Sequence, residues 1–365
     1  MSKLTSGLRL LFRNPKRFWL RLRNEMLAPT TGLASAARGV YTIFALNKLT
    51  SLDRNKGRYL FVYDTLLNPI TFDFLHYLYY VNWMRQRLGL EYIDILIIKR
   101  SEIIASRESS YISAIGSDNL EWRLVNLVIP LARLFVAVGR VSIVDPVEAF
   151  NAVKNYTQIY PEGYSYASPK PAVCRLDQPG LTFKPELTIS ATAREIVDSY
   201  FSRSDCRQIV TITLRSYDYI SCRNSDIASW VEFAKKLDPA VFRVIFVPDA
   251  SVNGVAALPQ LTSCEVFDSA CWNLELRAAL YERAWMNMGV ACGPLAISGL
   301  LDSVWTVMID RSLDYPEEYY RNVYSTGVVP GQPPNFYSRS CHMFLAKDDA
   351  QTISNIFSKY VGRTP

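Results

Sequence analysis

Charged and amide side chains gather where short apolar runs stop, and those stops are where this chain could do chemistry. Gln208 to Leu214 (Gln-Ile-Val-Thr-Ile-Thr-Leu) leads directly into Arg215, Tyr217, Asp218, Arg223 and Asn224. Phe242 to Val247 ends at Pro248-Asp249, and Val290-Ala291-Cys292 runs into Gly293-Pro294. In open α/β sheets ligands bind beyond the carboxyl ends of the strands, so these positions form a candidate ligand-binding set. A guanidinium there, Arg215, suits neutralisation of a diphosphate, and a salt bridge within the loop is the plain alternative. Backbone amides at Gly293-Pro294 could face a phosphate at a helix mouth, although a Gly-Pro pair also serves as simple punctuation. Glu282 and Asn287 stand on the expected helix before that turn. A carboxylate there could accept from ribose hydroxyls, and Glu282 equally suits a solvated face.

The first half offers a second set. Asp64 ends the run Tyr59-Leu-Phe-Val-Tyr63. It is placed to act as general base toward an acceptor hydroxyl, or to cap the turn that follows. Asn68 shares that loop, on the acceptor side. Asp73 falls in the first turns of the next helix, where an acid also complements the helix dipole. The chain has only two histidines, His76 and His342, which argues against a histidine-rich metal site and a Ser-His-Asp triad. His76 sits on an aromatic helix and reads as a packed residue. No G-x-G-x-x-G, G-x-x-x-x-G-K-[ST] or Asp-x-Asp occurs, which disfavours NAD enzymes, P-loop NTPases and the Asp-x-Asp metal fold. No metal and no other cofactor is expected.

The elements that must position these groups follow an α/β rhythm. The run at 59–63, helical periodicity from Pro69 to Leu88 (Phe72, Leu75, Tyr79, Trp83) and a run at 93–98 predict strand, helix, strand. A helix near 120–138, a strand at 141–144 and a helix from Pro146 to about Asn155 continue the unit. Five prolines (161, 169, 171, 179, 185) and two glycines interrupt residues 161–189, which read as a connector. A helix is expected at 188–201, capped by Ser190 or Thr192. Strands are then expected at 208–214, 242–247, 264–267, 290–292 and 304–309, with helices at 226–237, 274–288 and 348–360. Such alternation implies parallel sheets with right-handed crossovers.

With 365 residues, 49% of them hydrophobic, the chain fits two globular domains and excludes disorder. The expected division is a leading segment 1–57, a first domain 58–160, the connector 161–189, a second domain 190–345 and a closing helix 346–365. Seven scattered cysteines without a C-x-x-C pair point to reduced thiols and a cytoplasmic setting. No signal-peptide pattern or membrane-spanning run is recognised. Of the first 60 residues, 12 are Lys or Arg and two are Asp or Glu, so the net +6 belongs to the leading segment. After Asn14-Pro15, Phe18, Leu22 and Met26 recur at helical spacing beside Trp19, with Arg17 and Arg21 on another face. That pattern suits an anionic membrane surface, or equally a helix packed on the body. The remainder is slightly acidic, so nucleic acid is not an expected partner.

The stretch Glu275-Leu-Arg-Ala-Ala-Leu-Tyr-Glu282-Arg-Ala-Trp-Met-Asn287-Met-Gly289-Val-Ala-Cys-Gly293-Pro294 resembles the donor-side helix and turn of GT-B glycosyltransferases. Thr211 to Arg215 is similar to the first strand and loop of their donor domain, and Val62 to Phe74 to those of their acceptor domain. Together these cover roughly residues 58–360. The resemblance implies two Rossmann-like domains facing a cleft, preceded here by the basic helical extension. It further implies a nucleotide-sugar donor, a hydroxyl acceptor in polysaccharide or glycolipid assembly, and no required metal. On it, Asp64 and Asp73 are the catalytic candidates, and Arg215, Tyr217, Arg223, Asn224, Asp249, Glu282, Asn287, Gly293 and Pro294 bind the donor. Glu275 and Glu282 are seven positions apart rather than eight, so the paired glutamates of many retaining members are absent, and an inverting outcome is expected. A non-catalytic nucleotide-sugar-binding protein and a nucleotide-sugar epimerase of the same fold are the competing readings.

Overall fold

The computed structural model describes residues 55–99, 117–165, 168–174, 180–181, 187–201, 206–217, 220–250, 258–317 and 328–365. The basic leading segment up to residue 54, with its Phe18/Trp19/Leu22/Met26 stripe, and Asp218 lie outside the described residues.

In chain order the first elements are β1 (Arg58–Asp64), α1 (Asp73–Arg87), β2 (Tyr92–Ile98), α2 (Ser117–Arg123), α3 (Ile129–Arg133), β3 (Val138–Val144), α4 (Pro146–Val153) and β4 (Ile159–Tyr160). They are followed by α5 (Ala191–Tyr200), β5 (Gln208–Thr213), α6 (Ile227–Lys236), β6 (Phe242–Val247), α7 (Leu274–Arg283) and β7 (Met286–Val290). The chain closes with α8 (Ala296–Gly299), β8 (Trp305–Asp310), β9 (Cys341–Leu345) and α9 (Ala350–Phe357). Two compact units result, and they do not follow chain order. The first gathers described residues within 1–68, 89–102 and 140–172, the second those within 69–88, 103–139 and 173–365. Helix α1, expected in the first domain, therefore belongs to the second unit, and the Pro-rich stretch is divided between the two.

The first unit is built on a sheet of order β3-β2-β1-β4. Strands β1 and β2 run parallel, with Arg58 opposite Tyr92 and Asp64 opposite Ile98. Both are apolar at nearly every position and buried after their first residue, as parallel strands are. Leu60, Val62, Leu96, Ile98, Ala149 and Tyr164 form the core. Asp145 caps α4 by accepting from the Val147 and Glu148 amides, and Glu148 reaches back to the Asp145 amide.

The second unit carries a five-stranded parallel sheet, β6-β5-β7-β8-β9. Trp230 and Phe233 of α6 and Ile353 and Phe357 of α9 pack on Val210, Ile212, Met286, Met288 and Val307. The Trp230 indole donates to Asp348 at 2.9 Å, which also accepts from the Asp226 amide at 2.8 Å and so anchors the start of α6. Helix α5 packs on α7.

Three expectations are corrected here. The helix expected through Met288 ends at Arg283, and Met286–Val290 is a central strand instead. All five of its residues are buried between β5 and β8, so no alternation marks it in the sequence. A Cβ at Gly289 would overlap the Thr213 carbonyl oxygen, which is why glycine stands in that strand. The strand expected at 264–267 is reduced to one bridge between Val266 and Phe246. The helix expected over 120–138 contains a π turn at Leu124–Val128 and ends at Arg133, and β3 starts at Val138. Strand β9 had no counterpart in the sequence reading.

Candidate functional site

The carboxyl end of β5 delivers Leu214-Arg215 into a loop folded back on itself. The Arg215 amide donates to the Ser225 hydroxyl at 2.9 Å, and its guanidinium donates to the Ile220 carbonyl at 3.1 Å and to the Asn224 side chain. Asn224 closes the loop, accepting from the Tyr217 amide at 3.1 Å and donating to the Tyr217 carbonyl at 2.9 Å. Ile220 holds a left-handed φ of 56°, costly for a β-branched residue by about 1–3 kcal/mol, and this conformation presents its carbonyl to Arg215. The fold thus holds one cation, 7% exposed, at the mouth of the sheet.

Further cations join it. Arg123, at the end of α2, donates to the Ile70 carbonyl at 2.9 Å and lies 5.5 Å from the centre of the Tyr217 ring. Arg223 donates to the Ala291 carbonyl at 3.3 Å, which ties the loop to the Gly293 turn. Arg277, fully buried, donates to the Pro248 and Ala270 carbonyls at 2.6 and 2.9 Å and to the Tyr281 hydroxyl at 3.1 Å. Its donors go to the protein's own acceptors, so its role is to hold the end of β6 and to contribute positive potential. Asp249, half-buried, is the carboxylate among these groups. Burial pushes its pKa up from the ordinary carboxylate value, against the pull of Arg277, Arg215 and Arg123. Burial, helped by Asp249 and opposed by Arg215 and Arg277, pushes the Cys292 thiol up to about 11, too high for a thiolate nucleophile at neutral pH. Three guanidiniums around one carboxylate leave positive potential beside Asp249, which is chemistry for a polyanion.

The two candidate acids differ sharply. Asp64 is fully buried. One oxygen accepts from the Leu66 amide at 3.0 Å and the other from the Tyr164 hydroxyl at 3.1 Å. Asn68 donates to the Asp64 carbonyl at 2.9 Å and accepts from the Ala172 amide at 2.7 Å. These residues build a turn of the first unit. Asp73 is exposed at the first turn of α1, its carboxylate accepting from the Thr71 hydroxyl at 2.9 Å. Its neighbour Phe72 packs where a Cβ at Gly293 would overlap it. Asp73 therefore belongs to the unit that carries the cationic mouth, and sits beside a residue in contact with the Gly293 turn.

Solved structures to which this chain is similar include glycosyltransferases. One is a glycosyl transferase family 9 protein from Veillonella parvula DSM 2008, with 10% identity, TM-score 0.47, and 86% of this chain and 92% of that chain covered. A second is the E. coli ADP-heptose heptosyltransferase II, with 12% identity, TM-score 0.46, and 83% and 98% covered. A third is an E. coli heptosyltransferase with ADP, also 12% identical and covering 83% and 98%, at TM-score 0.42. No family model and no curated protein matches the chain.

Of the residues singled out in the sequence, Arg215, Tyr217, Arg223, Asn224, Asp249 and Gly293-Pro294 converge at one end of the second sheet. Glu282 does not: it pairs with Arg194 at 2.6 Å on the flank of α7. Asn287 is not on a helix but inside β7, accepting from the Thr211 hydroxyl at 2.6 Å and donating to the Tyr281 carbonyl at 3.0 Å. Helix α8, after Gly293-Pro294, has four residues, too short for a substantial dipole, and Gly293 is a glycine because Phe72 occupies the space of its side chain. Sequence reasoning missed Arg123 and Arg277. Arg123 lies far from the strand ends in the chain and Arg277 stands within a helix, and only their burial distinguishes them.

Proposed function

We propose that this chain transfers a sugar from a nucleotide-sugar donor to a hydroxyl acceptor, with the donor diphosphate held at the carboxyl end of β5 and β6. The convergence of Arg123, Arg215 and Arg277 around Asp249 supports this reading. Arg215 and Arg123 neutralise the diphosphate, and Arg277 sustains the potential from below. Charge developing on the leaving phosphate meets fixed guanidiniums, a role that elsewhere falls to a metal ion, so the transfer is read as metal-independent. Asp73, exposed and in the same unit, is the general base: it takes the proton as the acceptor oxygen bonds to the anomeric carbon and the bond to the phosphate breaks. One displacement of that kind inverts the anomeric centre. Asp64, its oxygens engaged in a buried turn, shapes the loop instead.

The test is a thermal-shift and calorimetric screen with ADP, GDP, UDP and TDP and the corresponding sugars, since a ligand bound only by the folded state raises the midpoint. Stabilisation by at least one nucleoside diphosphate is expected, together with release of that diphosphate from its sugar. No stabilisation by any of them removes the proposal, and binding without turnover leaves a binding protein. The basic segment 1–27 is read as a peripheral membrane contact with lipid-linked acceptors within reach. Equal pelleting of the full chain and of residues 56–365 with anionic liposomes would exclude it.

A further inference from the structure

Helix α1 presents Phe72, His76 and Tyr79 at intervals of four and three residues, one face of a helix, while Asp73 stands just off that face. Each of the three packs against another segment of the second unit. Phe72 fills the space beside Gly293. The His76 Nε2 lies 3.1 Å from the Tyr337 hydroxyl, and Tyr79 stacks on Phe336 at 4.0 Å between ring centres. Tyr337 in turn lies over Gly299, where a Cβ would fall 2.8 Å from its ring. The segment after β7 and the segment before β9 are thereby joined to the first turns of α1. Among these contacts the His76–Tyr337 hydrogen bond is the one directional link, since stacking tolerates sliding and a hydrogen bond does not.

We propose that His76, paired with Tyr337, is a positioning residue for the transfer: it sets the rotation of α1 that aims Asp73. This rests on the assignment of Asp73 as general base. A base must stay within hydrogen-bond reach of the acceptor oxygen, and a misplacement near 1 Å costs about a hundredfold in rate. The groups around the imidazole keep it neutral. Desolvation lowers its pKa, against the opposing pull of Asp73. Across from it, burial raises the Tyr337 hydroxyl, helped by Cys341, Cys292 and Cys174, so this partner stays a neutral phenol. Cys174 donates to the His76 backbone carbonyl at 3.4 Å, and its own thiol is raised by burial. The linkage is thus a neutral hydrogen bond that does not switch through the neutral pH range.

The experiment is single-turnover release of nucleoside diphosphate, with water as acceptor, from whichever nucleotide sugar stabilises the full-length protein most. In that reaction the water oxygen bonds to the anomeric carbon, its proton passes to Asp73, and the electron pair of the broken bond leaves with the diphosphate. His76→Ala is expected to slow release about 30- to 100-fold while donor Kd stays within about twofold. His76→Gln, which keeps a side-chain donor and acceptor at similar reach, should recover to within about threefold of wild type. Tyr337→Phe should slow release about tenfold, and the His76→Ala/Tyr337→Phe pair should be no slower than His76→Ala alone, as expected of two members of one link. If Asp73→Asn abolishes release while His76→Ala and Tyr337→Phe remain within threefold of wild type, the positioning role is wrong and the base assignment stands. If Asp73→Asn is as fast as wild type, the base assignment itself fails. Should His76→Ala not fold, Tyr337→Phe, which removes one oxygen, decides.

Discussion

The two units obey the same strand-helix rule yet engage their polar residues at opposite ends. In the first, the carboxyl end of β1 is closed off: Asp64, Asn68 and Tyr164 bond to one another and to backbone. Its charges sit toward the amino end of the sheet instead. There Arg58 makes two contacts of 2.6 Å to Asp94, and Arg140 and Tyr156 add contacts of 2.9 and 2.7 Å, beside a cavity of about 190 Å³. In the second unit Arg215, Arg123 and Arg277 gather around Asp249 at the carboxyl end, and Arg123 and Arg277 donate to neutral oxygens. Guanidiniums paired directly with a carboxylate stabilise a fold; guanidiniums held by carbonyl and hydroxyl oxygens keep their charge and have chemistry to offer a ligand. The comparison teaches that residue type at a strand end does not separate the two cases, whereas the acceptors that hold the guanidiniums do.

The largest test of this contrast exchanges the two acids. Asp73→Asn is expected to reduce turnover about 10²- to 10⁴-fold with donor affinity retained, while Asp64→Asn keeps near-normal turnover. Activity lost only in the Asp64 variant would reverse the roles assigned to the two units. Next come the cations. Arg123→Ala and Arg215→Ala should each weaken nucleotide binding about ten- to a hundredfold by calorimetry, the loss of a charge-assisted contact worth about 1.5–3 kcal/mol. Unchanged affinity in both would mean that the mouth is a structural network like that of the first unit.

Smaller effects should appear in stability. Gly293→Ala must displace Phe72, and a fall of about 1–3 kcal/mol in denaturant unfolding is expected. A variant of full stability but weakened donor binding would instead give the turn a direct phosphate role. Finally, burial by itself would raise the Asp94 carboxyl, but hydrogen bonds from Arg58, Tyr156 and Arg140 outweigh it and hold the carboxyl below its ordinary value of 3.8. Stability from this group is therefore fully present above that value and is lost as the pH falls through the lower, folded-state value. Asp94→Asn should flatten the acid side of the stability profile and cost on the order of 1–2 kcal/mol at pH 7. The cost is reduced because Arg140 is 57% exposed and screened. An unchanged acid limb would show that the network adds nothing measurable.

Much of this was legible in the chain itself. Continuous runs rich in β-branched and aromatic residues, such as Tyr59–Tyr63 and Gln208–Leu214, read as buried strands, and residues that follow such strands lie at the sheet's mouth. Arg215, Asn224 and Asp249 were accessible to that reasoning. So was the cap of α5, expected at Ser190 or Thr192 and found at Ser190, because capping is local and needs no tertiary partner. What the sequence could not decide is everything that depends on which distant groups share a small volume. Met286–Val290 lacks alternation because both of its faces are covered, so a helix and a strand were equally consistent with it. Arg123 and Arg277 became site and scaffold cations only when the fold brought them beside Asp249. The two acids, alike on paper, were separated by burial. Asp64 lost its water to a turn and a tyrosine, whereas Asp73 kept its exposure on a helix that the chain surrenders to the other unit. Periodicity and capping are short-range and are written residue by residue; charge balance and desolvation are sums over neighbours, and only the folded chain selects the neighbours.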